Sequence, residues 1–195
     1  HAEHLEALAK MIARFHAAHG LGRPAPWSID QWIERTLAPI RDTFELARGA
    51  TPEAIDQPLL GRCQASMMEL FRQRRERFEA RRNEGRAVDG HGDLHLDHIW
   101  YEHGPANPIA IDCIEFNDRF RYGDVCADIA FLSMDLAWHG RVDLAERFLA
   151  RYARESNDYD LYSVVNFYES YRAVVRGKVA SLLADDTEAS AKARE

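Results

Sequence analysis

A chain of 195 residues, 46% hydrophobic and 29% charged, has a globular composition and enough length to enclose one sizeable core, so a single domain is expected. The formal charge of −7 argues against a general nucleic-acid binder, which presents a basic face, and no apolar run approaches the ~18–20 residues that span a bilayer. A soluble protein is expected. The first residue is His1 and no signal-peptide pattern follows it, so the start reads as a cut end, while Cys63, Cys113 and Cys126 form no paired motif and read as buried free thiols in a reducing cytoplasm.

Leu5, Leu8, Ile12 and Phe15 recur at helical spacing and Gly20 follows as a C-terminal cap, so residues 1–20 read as an amphipathic helix. His16 and His19 read as helix-end or surface side chains. Ser28 is placed to cap a helix running towards Ala47, which Pro39 should kink or divide. Thr51-Pro52-Glu53 is a further start signal, and one long helix is expected from Leu59 to Asn83. Its arginine-rich end, RQRRERFEARR, interleaves glutamates and shares the helix with the apolar stripe Met67, Leu70 and Phe78, so it reads as a solvated face.

The texture changes after Gly85. RAVDGHGDLH is short and punctuated by glycine, HIWYE and PIAIDCI read as two short strands, and HGPAN as the turn between them. Helical periodicity returns in GDVCADIAFLSMDLAWHG, RVDLAERFLARYARES and LYSVVNFYESYRAVVRGKVASLLA, and the residues after Asp185 read as a fraying tail. The expected organisation is helical over 1–84, loops and short strands over 85–123, helical over 124–184, and a flexible tail over 185–195. The fold class is α+β, mainly α.

Between Asp89 and Asp128 nine acids stand against Arg119 and Arg121. Carboxylates crowded in this way repel one another unless cations or hydrogen bonds hold them, which predicts a site for a divalent metal or a cationic ligand. Two segments carry it: HGDLHLDH, His91 to His98, and AIDCIEFNDRFRYGDVCADIAFL, Ala110 to Leu132. Phosphoryl transfer needs a carboxylate to orient and accept the proton of an incoming hydroxyl, and metal ions held by further oxygen ligands. Asp93 on a tight loop suits the first role, and Asp112 at the end of an apolar strand suits the second.

The paired segments resemble the aminoglycoside phosphotransferase and choline kinase-like family, distant relatives of protein kinases whose catalytic loop reads H-x-D with an asparagine five residues after the aspartate. The resemblance implies the helical C-terminal lobe of the protein kinase-like fold, with a small β-hairpin insertion carrying the catalytic and metal loops. It also implies transfer of the γ-phosphate of ATP, with magnesium, to a hydroxyl of a small molecule. On this reading Asp93 is the catalytic base, His91 braces its loop and Asp112 is a magnesium ligand. Gly123-Asp124 and Asp128 resemble the family's G-D-x-x-x-D element, which supports the catalytic loop and starts a helix; Asp124 reads equally well as an N-cap. In relatives the later helices wall the acceptor pocket, so Arg172 and Arg176, with Tyr168, Tyr171 and Lys178 nearby, are candidate substrate contacts beside His95 and Glu115. Pairing of those arginines with surface carboxylates is the plainer alternative.

The sequence departs from the family pattern in two places. His98 stands where the asparagine is expected, and imidazole favours transition metals over magnesium, so magnesium should bind less well there unless Asp97 or Glu115 supplies a replacement oxygen. Lys10, Lys178 and Lys192 do not match the strand lysine that holds the phosphates, and no glycine-rich loop lies between strands. The N-terminal β lobe is therefore expected to be absent, and the chain to be the C-terminal lobe of a longer protein, weakly active alone. The implied partners are that lobe, a small hydroxylated substrate and, as in some members of a similar bacterial branch, a fused P-loop nucleotide-kinase-like domain. Two other functions stay open. A pseudokinase-type binding module is motivated by His98 and the missing lobe, and a metal hydrolase could be built on His91, His95 and His98 with aspartates.

Overall fold

The computed structural model describes residues 2–50 and 55–192, with side chains as far as residue 182, so the start signal at Thr51-Pro52-Glu53 lies outside the described residues. Helix α1, Ala2–Ala18, buries Leu5, Leu8 and Ile12 and, on the same stripe, His16. That face packs on α6, Val142–Ser156, which offers Phe148, Leu149 and Tyr152 from its own amphipathic stripe. Gly20 does not close α1 with a left-handed cap. Instead Leu21 N–H donates to the Ala87 carbonyl and Asp89 N–H to the His19 carbonyl, both at 3.0 Å, so the chain leaves α1 by bridging strand β1, Ala87–Asp89.

Helix α2, Ile29–Arg48, is capped by Ser28 as expected, and Gln31 completes a capping box: Gln31 N–H donates to Ser28 Oγ at 3.2 Å and Ser28 N–H to Gln31 Oε1 at 2.9 Å. Pro39 does not divide it, because Trp32 and Ile33 before the proline and Phe44 and Ala47 after it are all buried in the core. The single long helix expected over 59–83 is two helices, α3, Gln57–Gln73, and α4, Arg75–Asn83, broken at Arg74 with φ −111° and ψ 14°. The bend brings Phe71 and Phe78 to 4.9 Å between ring centroids and sets Phe78 5.0 Å from Phe167. Burying a phenylalanine side chain of this kind contributes about 1.5–3 kcal/mol, more than a continuous helix would recover in backbone bonds at one residue.

Among the described residues the strands form two separate antiparallel pairs. Strand β1 pairs with β4, Tyr122–Asp124, in the register Ala87 opposite Asp124 and Val88 opposite Gly123. The hairpin of β2, Ile99–Tyr101, and β3, Pro108–Ala110, follows the two strand segments read from the sequence, in shortened form. Helices α5, Val125–Trp138, and α7, Val165–Lys192, complete the mainly helical α+β architecture; α7 continues through Lys192, where a frayed tail was expected from residue 185.

Helix α5 is apolar nearly all round, burying Val125, Cys126, Ile129, Ala130, Leu132 and Leu136, and it packs on both α6 and α7. Such a helix belongs in the core rather than on a surface. Of the cysteines, Cys126 is buried as expected, but Cys63 is half-buried and Cys113 is exposed. No helix among the described residues is long and apolar enough to cross a membrane.

Candidate active site

The loop His91–His98 lies on α5, and two aspartates of that helix, Asp128 and Asp135, grip its two ends. Asp128 Oδ2 accepts from His91 N–H at 2.6 Å and Oδ1 from Gly92 N–H at 2.8 Å, while Asp135 Oδ2 accepts from Leu96 N–H at 2.9 Å. Seven residues apart, they project from one side of α5 across two turns. Two glycines make this grip possible. A Cβ on Gly90 would come within 2.5 Å of Asp128 Oδ2, and Gly92 has φ +81° with the Phe120 carbonyl 3.0 Å from where its Cβ would stand.

Asp128 is buried, and a buried carboxylate is tolerated only when its charge is answered. His16 supplies part of the answer from α1: its Nε2 is 3.2 Å from Asp128 Oδ2, and its Nδ1 bonds the Tyr152 hydroxyl at 2.8 Å. Burial alone would raise the Asp128 carboxyl, but the hydrogen bond and charge of His16, then the charge of Arg172 and the His91 amide, outweigh it and hold it below the ordinary aspartate range. His16 is thus a buried ligand of the loop's anchor, where a helix-end or surface side chain was expected. The signal was its position four residues after Ile12 on the apolar stripe.

His91 ties the catalytic loop to the second motif. Its Nε2–H donates to the Ile111 carbonyl at 2.8 Å and its Nδ1 accepts from Asp93 N–H at 3.3 Å, a pairing that needs the neutral ring. Burial lowers its pKa, which favours that form. The backbone bond from Ile114 N–H to the His91 carbonyl at 3.0 Å closes the other side. Asp112, clasped between Ile111 and Ile114, has φ +60°, a left-handed conformation that costs a non-glycine residue on the order of 1–3 kcal/mol.

The face that remains open carries the polar cluster. Asp93, Asp112 and Glu115 line one concavity with Cys113, Ile114 and Phe116. His95 Nε2 and His98 Nδ1 each stand 3.5 Å from Asp93 Oδ2, and His98 Nε2 stands 3.4 Å from Asp112 Oδ2. His98 Nδ1 also donates to the Asp93 carbonyl at 2.9 Å. Burial would raise the Asp93 carboxyl, but the approach and charge of His95, with the charges of His98 and Arg172, hold it below the ordinary range. It is a carboxylate at neutral pH, half-buried and facing open space.

Two expected substrate contacts fall elsewhere. Arg172 lies beneath the loop, with Nε donating to the Ala127 carbonyl at 2.9 Å and the guanidinium 4.7 Å from the Phe131 ring, so it braces α5 against α7 and lends its charge from below. Arg176 stands 3.5 Å from Asp97 and 3.6 Å from Asp135, a tether on the far end of the loop. Asp124 takes the N-cap position: its Oδ1 caps α5 by accepting from Cys126 N–H at 2.8 Å, and its carboxylate takes two bonds from Arg81, at 2.6 and 2.9 Å. Arg81 also donates to Asp158 at 3.0 and 2.8 Å. It is wholly buried, the exception in a helix end whose Arg72, Arg74, Arg75 and Arg77 are exposed as expected.

A sequence profile of the phosphotransferase enzyme family matches residues 1–168, most of the chain. The chain belongs to the phosphotransferase enzyme family. The segment that this match covers includes every loop residue described above, from His91 to Asp128. Among curated proteins, two described as uncharacterized, from Mycobacterium tuberculosis and Mycobacterium bovis, are each 39% identical over 177 residues, 90% of this chain and 34% of the relative. The chain thus spans about a third of the length of the curated relatives it matches. No solved structure matches it significantly.

Within this phosphotransferase family member, sequence reasoning missed His16, Tyr152, Asp135 and Arg81. His16, Tyr152 and Asp135 are polar residues on otherwise apolar helix faces, and that contrast was the signal available; Arg81, among charged neighbours, carried no such signal. His91 also leaves the three-histidine set considered for a hydrolase, since both of its ring nitrogens are bonded to backbone.

Proposed function

We propose that the chain contributes the acceptor-activating and metal-holding loops of an ATP- and magnesium-dependent phosphotransferase acting on a hydroxyl of a small molecule. The observation that carries this is the shared concavity of Asp93 and Asp112, one on a loop anchored by buried Asp128 and the other clasped in a left-handed turn. Asp93 orients the acceptor hydroxyl and takes its proton as the oxygen attacks the γ-phosphorus of ATP, whose bond to the bridging oxygen breaks to release ADP. Its lowered pKa keeps it ionised for that task.

The donor set fits a divalent cation on its oxygen side. The Asp112 side chain is 78% exposed into the concavity and Glu115 lines the same space, so both could hold magnesium, with His98 adding a nitrogen where the family pattern has an amide oxygen. Magnesium bound there would neutralise charge on the phosphoryl group in transfer. His91 and Asp128 keep the two carboxylates in fixed relation and touch no substrate.

The whole protein's nucleotide lobe, its acceptor and a fused P-loop domain belong to the same proposal, as does a cytoplasmic location. Curated relatives about three times as long leave room for such parts. The test is transfer from labelled ATP with magnesium across a panel of hydroxylated metabolites, comparing the chain with its Asp93→Ala variant. A base-dependent rate, slow as it is expected to be in this chain, falls by on the order of 10²–10⁴ in the variant. Nucleotide binding with no transfer in either protein would instead support a pseudokinase-type module, which His98 favours.

A further inference from the structure

Beside the concavity that Asp93 lines, His95 and His98 complete a second donor set, one that the phosphotransferase reading does not use as a set. Asp93, His95 and His98 each offer one ligand atom, and these atoms all lie within 4.8 Å of one another. The two nitrogen-to-oxygen separations, His95 Nε2 and His98 Nδ1 to Asp93 Oδ2, are both 3.5 Å. A tetrahedral ion with bonds of about 2.0–2.1 Å has ligand-to-ligand edges of about 3.4 Å. Both edges therefore stand at the length that such an ion imposes, and too long for good hydrogen bonds.

The surroundings of the two imidazoles suit the same role. A metal-ligating histidine commonly turns its other nitrogen to a carboxylate. Here His95 Nδ1 faces Asp97 Oδ2 at 3.5 Å and His98 Nε2 faces Asp112 Oδ2 at 3.4 Å. His95 is more than nine-tenths buried, and its Nδ1 makes no hydrogen bond. Its ring is held at 4.0 Å from that of His98 and 5.3 Å from that of Phe131, while His98 is set by the 2.9 Å contact of its Nδ1 to the Asp93 carbonyl.

We propose that Asp93, His95 and His98 form a binding site for a zinc-like borderline divalent cation, distinct from the Asp112 and Glu115 oxygens that would hold magnesium. Asp93 Oδ2, His95 Nε2 and His98 Nδ1 are the three protein ligands. The proton on His98 Nδ1 gives way to the ion, and the ring takes the tautomer whose Nε2–H points at Asp112. The fourth position opens into the concavity and is left for water. Two nitrogens in three ligands select zinc or cobalt over magnesium. If the phosphotransferase reading is right, an ion seated here occupies the carboxylate that orients the acceptor, so it competes with the acceptor; that consequence rests on that reading, whereas the binding does not.

Cobalt titration of the full chain tests the site without any assay of activity. Saturable binding should bring the intense visible absorption of tetrahedral cobalt, displaced by zinc and left intact by excess magnesium. His95→Ala and the space-filling His95→Gln should each weaken binding by about a hundredfold or more. Asp112→Asn, which alters only the orienting carboxylate behind His98, should weaken it by about tenfold. Weak octahedral binding alone overturns the proposal. So does undiminished tetrahedral binding in a folded His95 variant, and so does loss confined to Asp112→Asn, which would assign the ion to the magnesium site. Near-ultraviolet and far-ultraviolet circular dichroism establish which of the two His95 variants is folded and is therefore the one read.

Discussion

The buried cluster around Arg81 and the open cluster around Asp93 are built from the same kinds of group to opposite ends. In the first, one guanidinium answers Asp124 and Asp158 through four bonds of 2.6 to 3.0 Å, and all three side chains are wholly buried. In the second, the side-chain to side-chain contacts among Asp93, His95, His98 and Asp112 stand at 3.4–3.5 Å, and side-chain exposure rises from 8% at His95 to 78% at Asp112. The closed cluster has satisfied its charges internally and fastens α4 to the start of α5. The open one keeps ligand capacity in reserve, held in place by groups beneath it. Charge alone does not distinguish a fold's rivet from a site; the distances and the unspent acceptors do.

The most damaging way to break the contrast is to strip the closed cluster of its cation. Arg81→Met leaves Asp124 buried without an answering charge and Asp158 with only Arg86, at 3.5 Å, and should cost about 3–5 kcal/mol in urea unfolding. Lysine should not rescue it, since one ammonium cannot take two carboxylates in bidentate geometry. A loss below about 1 kcal/mol would mean that the cluster is not closed. At the open cluster, Asp93→Asn should leave stability within about 1 kcal/mol of the parent while phosphate transfer falls by on the order of 10²–10⁴. Equal losses of stability at the two positions would erase the distinction.

The clusters differed equally in how far they could be read beforehand. HGDLHLDH and the Asp112 segment were legible because glycine punctuation, short strands and the G-D-x-x-x-D spacing are local. The hairpin and the helix cap at Ser28 were legible for the same reason. Arg81 was not, because its partners lie 43 and 77 residues away and its own neighbours are charged. His16 finds Asp128 across 112 residues. The break at Arg74 carries no glycine or proline; it is set by Phe71 and Phe78 meeting Phe167, a tertiary packing that overrides good helix propensity. Long-range polar pairs leave only an indirect trace, a charged or histidine side chain where the apolar stripe asks for a hydrophobic one.

Asp128 stands between the two clusters, closed in its bonding yet placed under the open loop, and pH can separate its contribution. Its carboxyl is held below the ordinary aspartate range in the folded protein. The stability it supplies is therefore fully present above the unfolded value of about 3.9 and is lost as pH falls through the lower folded value. Asp128→Asn should cost about 1–3 kcal/mol at neutral pH and flatten that part of the acid limb. A variant with an unchanged acid limb would show that other carboxylates set it. A smaller change is expected at His98→Asn, which restores an amide oxygen beside Asp112 and should raise magnesium-dependent transfer by about tenfold. An unchanged or lower rate would count against magnesium being limited by the imidazole.

The smallest effect concerns the backbone of Asp112. At φ +60° a side chain with a Cβ is strained, whereas glycine is not. Asp112→Ala keeps the strain and Asp112→Gly releases it, and both remove the same carboxylate. The glycine variant should therefore be the more stable of the two by about 1 kcal/mol in chemical unfolding, the reverse of the order found where a residue has ordinary φ. The pair isolates backbone strain from side-chain loss, because neither variant retains the contact to His98. If alanine proves the more stable, the left-handed turn relaxes once the carboxylate is gone. The aspartate's own contact to His98 would then be what holds the turn, rather than the clasp of Ile111 and Ile114 around it.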